Sequence, residues 1–143
     1  MRICPTITAL ALLAAPAIAG ASDTTLDGRY AVYRAKTTTE TDRGPRNDED
    51  CRRFLASELF ETRNKSEDLK ISGNRWEDDM DVSGVTGTVV LQKSKGGGIP
   101  FTINRESEGD SGPAKGTVKR VGRLGLSFAF SGERVLYYCK MDG

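Results

Sequence analysis

Leu124-Gly125-Leu126-Ser127-Phe128-Ala129-Phe130 decides the fold. Large apolar residues occupy every second position, and only small residues stand between them. A β-strand sends successive side chains to opposite faces, so this stretch predicts a strand with one fully apolar face. Ser131-Gly132 turns the chain, and Val135, Tyr137 and Cys139 continue the rhythm into a last strand.

Working backwards, the same period recurs. Gly116 to Val121 and Ile99 to Arg105 read as strands, with Phe101 and Ile103 on one face. Gly87 to Lys93 carries the run Val89-Val90-Leu91, and Gly96-Gly97-Gly98 breaks it. Leu69 and Ile71 alternate with polar residues before Gly73-Asn74 turns the chain into Arg75-Trp76. Gly28 to Ala35 supplies a first strand. The sum is about seven or eight short strands joined by turns, as in an antiparallel meander or small β-barrel.

One region departs from period two. Lys36 to Asn47 holds three successive threonines, Gly44 and Pro45 and reads as an exposed loop. Asn47 can then cap a helix whose first residues, Asp48, Glu49 and Asp50, suit the positive end of its dipole. Cys51, Phe54, Leu55 and Leu59 recur at helical spacing, so a helix is expected over Asp48 to Phe60, with Arg63 and Lys65 near its end. The competing arrangement is a strand near Glu58 to Arg63.

The beginning of the chain has a different character. Arg2 precedes an apolar stretch from Ile7 to Ala15, Pro16 interrupts it, and Ala17-Ile18-Ala19 offers small residues for cleavage. This predicts a cleavable signal peptide over residues 1–21, followed by a single β-rich domain over residues 22–143, exported to the periplasm or secreted. The apolar run is shorter than the roughly 20 residues a membrane span requires. Cys4 would leave with the leader, so Cys51 and Cys139 would be paired in an oxidising compartment.

Loss of Arg2 would leave equal numbers of basic and acidic residues. That balance supplies no general attraction to nucleic acid or to an anionic membrane. The chain contains no histidine. Gly109-Asp110-Ser111-Gly112 has the form of a serine-protease nucleophile loop, but that chemistry needs a histidine base, so a turn is expected. Cys-His catalysis and histidine-based zinc sites fall for the same reason. No cofactor or metal is implied, and a non-enzymatic protein is expected. A carboxylate-dependent enzyme is the alternative within catalysis, and it would need two acids about 5–10 Å apart across a cleft.

Glu77-Asp78-Asp79 with Asp81 is the densest acidic cluster; it lacks the order of a calcium loop and reads as a solvated strand or contact surface. Lys115, Lys119, Arg120 and Arg123 read as a solvated basic face. Asn64-Lys65-Ser66 matches an N-glycosylation acceptor.

Gly28-Arg29-Tyr30 at the entry to a β-meander resembles the entry of lipocalin and avidin-like barrels. That resemblance implies a central cavity for a small apolar ligand. Ser72-Gly73-Asn74-Arg75-Trp76, with a Tyr-x-x-Lys spacing from Tyr137 to Lys140, resembles the Ser-Gly-x-x-Tyr element of small periplasmic lysozyme inhibitors, with tryptophan in the aromatic position. It implies a protein partner, and the acids beside Trp76 would suit a basic one.

The expected function is therefore an exported binding protein acting through loops on a protein partner, as an inhibitor would, with a small-molecule carrier as the alternative. Candidate contact residues are Ser72, Gly73, Trp76, Glu77, Asp78, Asp79, Tyr138 and Lys140, with Trp76 or Tyr138 as aromatic anchors. Burial of Trp76 would remove the inhibitor's anchor, and a filled barrel would remove the carrier's cavity.

Overall fold

A computed structural model describes residues 25–62, 68–78, 86–94, 96–105, 113–132 and 135–141. The expected leader with Cys4, the Arg63 and Lys65 positions, the Asn64 acceptor, Asp79, Asp81 and the Gly109–Gly112 turn lie outside the described residues.

Eight antiparallel strands form a closed barrel in sequence order. They are β1 (Gly28–Val32), β2 (Leu69–Ser72), β3 (Arg75–Asp78), β4 (Gly87–Leu91), β5 (Ile99–Arg105), β6 (Ala114–Val121), β7 (Gly125–Phe130) and β8 (Leu136–Lys140). Each strand pairs with the next, and β1 closes the barrel on β8 through Tyr30↔Lys140, Ala31↔Cys139 and Val32↔Tyr138. The expected hairpin rhythm is thus realised, and closure removes both sheet edges.

Alternation places one large side chain per pair inside. Leu69 and Ile71 of β2, Phe101 and Ile103 of β5, and Leu126, Phe128 and Phe130 of β7 are all buried in the barrel core. An eight-stranded barrel has an interior just wide enough for side chains, and aromatic rings fill this one. Trp76 lies 5.2 Å from both Phe101 and Phe128, centroid to centroid, and Phe128 lies 5.3 Å from Tyr138 in an edge-on contact. Tyr30 is buried among them and donates its hydroxyl to the Leu26 carbonyl at 2.7 Å, so its polar end is satisfied.

A second, smaller core lies outside the barrel. Ala31 and Cys139 face outward and meet Cys51, Phe54 and Phe60. These come from the helical insertion between β1 and β2, which comprises α1 (Thr38–Arg43), α2 (Asp48–Leu55) and α3 (Glu58–Glu61). The Cys51–Cys139 disulfide, with Cα atoms 5.4 Å apart, joins α2 to β8 across this layer. The expected bond is present, and it fastens a helix to the outside of the barrel.

Two local expectations change. The span Lys36 to Asn47 contains α1 rather than a simple loop: Thr37 caps it by accepting from the Glu40 amide at 3.2 Å, while its own hydroxyl bonds the Glu40 carboxylate at 3.1 Å. Thr37-Thr38-Thr39-Glu40 is a capping-box sequence, a local signal that the threonine run concealed. The expected helix over Asp48 to Phe60 is divided at Ala56-Ser57. The Ser57 hydroxyl donates to the Phe54 carbonyl at 2.6 Å, drawing that carbonyl out of a continuous ladder. Glu58 to Glu61 is helical rather than the competing strand.

Candidate binding groove

Among the described residues, an open feature lies where β1 leaves the barrel. Val32 donates its amide to the buried Asp68 carboxylate at 2.7 Å, and Tyr33 donates its amide to the Tyr137 carbonyl at 2.8 Å. These bonds hold the exiting chain flat against β8. Ala35 then donates to the Thr41 hydroxyl at 2.9 Å, tying the segment to α1. Tyr33 to Lys36 is thus a strap with an ordered backbone, crossing between the barrel rim and the helices.

A groove of about 290 Å³ runs beside this strap. Its apolar floor comes from Tyr33, Phe54 and Leu59; the Tyr33 ring meets Phe54 edge-on at 5.5 Å, and Phe54 meets Phe60 at 5.7 Å. Its walls carry Arg34, Lys36, Arg43, Arg46 and Arg53, against Glu40 and Asp50. A second depression of about 410 Å³ shares Tyr33, Arg34, Lys36 and Leu59 with the first. Leu59 is 38% exposed, which is high for a large apolar side chain.

Asp50 organises the floor. Its carboxylate accepts the Arg46 amide at 3.0 Å and the Arg46 side chain through Nε at 2.9 Å and Nη2 at 3.3 Å, while Arg53 stands 3.8 Å away. These bonds favour the ionised form and hold the Asp50 carboxyl down at about 2, and they raise the Arg46 guanidinium in turn. Partial burial pushes the Tyr33 phenol up, and the Asp50 and Glu40 carboxylates add to that shift. Tyr33 is therefore a neutral hydrogen-bonding group at physiological pH.

Of the sequence-derived candidates, Asp78 and Tyr138 line the second depression and none lines the first. Trp76 is 0% exposed and Tyr138 is 2% exposed; both are core residues, so neither can anchor a partner at the surface. The reason is strand parity: the neighbours of Trp76, Arg75 and Glu77, take the outer face and bond each other at 2.8 Å. With Trp76 inside, the lysozyme-inhibitor resemblance loses its anchor. The Tyr138 hydroxyl donates to Asp78 at 3.4 Å near the barrel mouth. Ser72 and Gly73 are exposed at the β2–β3 turn, where the Gly73 amide donates to Asp27 at 2.8 Å. Lys140 lays its stem over Gly28, where a Cβ would come within 2.6 Å of Lys140 Cε.

The basic stretch on β6 is also dispersed. Arg120 donates to the Thr25 carbonyl, and the Arg123 amide is bound by Asp48 at 2.7 Å, while Lys115 and Lys119 remain on the exposed strand surface. Among the described residues, no three His, Cys, Asp or Glu side chains converge as metal ligands, and no helix is long and apolar enough to cross a membrane.

Phe54 and Leu59 carried a helical period, but the groove's cations carried none. Arg34 and Lys36 follow a strand, whereas Arg46 precedes α2 and Arg53 lies within it, and only the strap's path brings them together. Comparison with known proteins finds no matching family model, no matching curated protein and no matching solved structure.

Proposed function

We propose that this chain is an exported, non-enzymatic binding protein that holds a protein partner in the groove beside the Tyr33–Lys36 strap. The observation that carries this reading is the contrast between inside and outside. Aromatic rings occupy the barrel interior, while apolar Tyr33 and Leu59 and four or more cations stand around an open groove. A packed interior disfavours the lipocalin-like carrier role, which needs an internal cavity. An apolar floor with a polar rim is instead the usual anatomy of a protein contact. The Cys51–Cys139 bond fits an oxidising destination and so supports export. Occupying a partner's surface in this way would make inhibition a natural consequence.

The test is position-dependent crosslinking. A photoreactive side chain at position 59, in the groove, captures a protein partner from the native compartment, and the same group at position 90, on the outer face of β4, does not. Equal capture from both positions, or from neither, sinks the reading. Fractionation of the mature chain with extracytoplasmic proteins checks export, and retention of residues 1–21 in the cytosol would overturn it.

A further inference from the structure

We propose that the bound partner presents an extended acidic segment, whose carboxylates meet Arg34, Lys36 and Arg43 while an apolar side chain rests on Tyr33 and Leu59. This rests on the groove being the partner-binding surface, and it specifies the chemistry of what lies there. The chain as a whole is nearly neutral, with twenty-one basic and twenty acidic residues. The groove of about 290 Å³ is not: five cations face two carboxylates there. The second depression adds Asp42 and Asp78, whereas Arg43, Arg46 and Arg53 line only the first. Asp50 is already saturated by Arg46 and is only 9% exposed, so it does little to offset the remaining positive charge. Among the described residues, no ion pair engages Arg34, Lys36 or Arg43, and all three are exposed. An arginine without a partner offers a planar fork that matches a carboxylate.

The shape argues for an extended ligand. The two depressions share the residues of one strap, so a single ligand lying along it can contact both. Tyr33 and Ala35 spend their amides on Tyr137 and Thr41, which closes that edge of the strap to strand addition. An extended peptide turns alternate side chains to opposite sides, so acids and apolar residues in alternation can meet cations and floor separately. A nucleic acid fits less well. Its uniform negative charge would meet Glu40 in one depression and Asp42 and Asp78 in the other, where a peptide can instead place uncharged residues, and it has no apolar side chain for Leu59.

The test uses four fluorescent probes with the oxidised full chain: a peptide of about ten residues alternating Glu and Leu, its Gln counterpart, its Lys counterpart, and a single-stranded DNA of similar length. Anisotropy and amide chemical shifts are read together. The acidic peptide is expected to bind, to move the Tyr33–Lys36 and Leu59 amides, and to weaken as salt is raised to about 0.3 M. Arg34→Glu with Lys36→Glu is expected to weaken it about tenfold or more, a loss corresponding to about 1.4 kcal/mol or more. Lys115→Glu with Lys119→Glu, on exposed β6, leaves it unchanged. All four positions are exposed, and an unaltered melting temperature verifies each fold. Equal affinity for the Gln peptide, tighter binding of DNA, shifts confined to other surfaces, or equal loss in the β6 variant would each overturn the proposal. A partner captured at position 59 that excess acidic peptide fails to displace overturns this inference alone and leaves protein binding standing. Absence of any position-dependent capture removes both.

Discussion

Asp48, the first residue of α2, lies against Gly122 in the β6–β7 turn and binds the two amides that follow it, those of Arg123 at 2.7 Å and Leu124 at 2.9 Å. The carboxylate is therefore a clamp from the helical layer onto the barrel. One turn later Cys51 makes a second clamp onto β8. Together they hold α2 in place, and α2 supplies Arg53 and Phe54 to the groove.

Asp48→Ala should destabilise the protein by about 1–3 kcal/mol, since it strands two backbone donors that now bond a charged acceptor. Asp48→Asn, which keeps an acceptor oxygen, should cost less. Gly122→Ala should also destabilise, because its φ of 67° is unfavourable for a side chain and the new Cβ would collide with Asp48. Urea unfolding midpoints order these variants. Equal stability of Asp48→Ala and the parent would remove the clamp.

Loss of the disulfide through Cys51→Ser with Cys139→Ser should lower stability by up to about 4–5 kcal/mol, given the long loop the bond closes. The helical layer should loosen first, because the barrel is closed independently by the β1–β8 ladder. Hydrogen exchange by NMR reads this directly: α2 amides are expected to lose protection before those of β5 to β7. Simultaneous loss everywhere would contradict it.

Acid should weaken the Asp50 centre. Its folded value near 2 lies below the ordinary value of 3.8, so its stabilisation is complete above about pH 4 and disappears as pH falls through 2. Solvent around Arg46, whose side chain is 64% exposed, screens the pair and limits the contribution to on the order of 1 kcal/mol. Asp50→Asn should remove this part of the acid limb. Parallel stability profiles for parent and variant between about pH 5 and 2 would refute it.

Trp76 is the single tryptophan, so its emission reports the barrel interior alone. A blue-shifted spectrum with weak iodide quenching is expected. Trp76→Ala should cost about 3–5 kcal/mol, as large-to-small changes in aromatic cores do. Emission typical of a water-exposed indole would overturn the filled-barrel arrangement.

Much of the barrel is legible without coordinates. Leu126, Phe128 and Phe130 could face one way only, and a two-residue period with apolar members must bury that face. Pairing of the two cysteines follows from their number outside the expected leader and from redox chemistry. The capping box at Thr37–Glu40 was equally local, yet its threonines suggested a loop because no apolar period accompanied them. Tyr137 and Tyr138 illustrate the limit. Adjacent tyrosines satisfy either parity, and it is the outward pull of Cys139 towards α2 that turns Tyr138 inward.

By itself, then, the order of residues determined strand succession, the disulfide and the lack of histidine chemistry, because periodicity, composition and covalent pairing are local or countable properties. Tertiary structure alone decided that the barrel interior is filled, that Trp76 is unavailable to a partner, and that cations from a strap and two helices share one groove. Those outcomes depend on closure between β1 and β8 and on where the helical layer is clamped. They are long-range relations that no window of sequence contains.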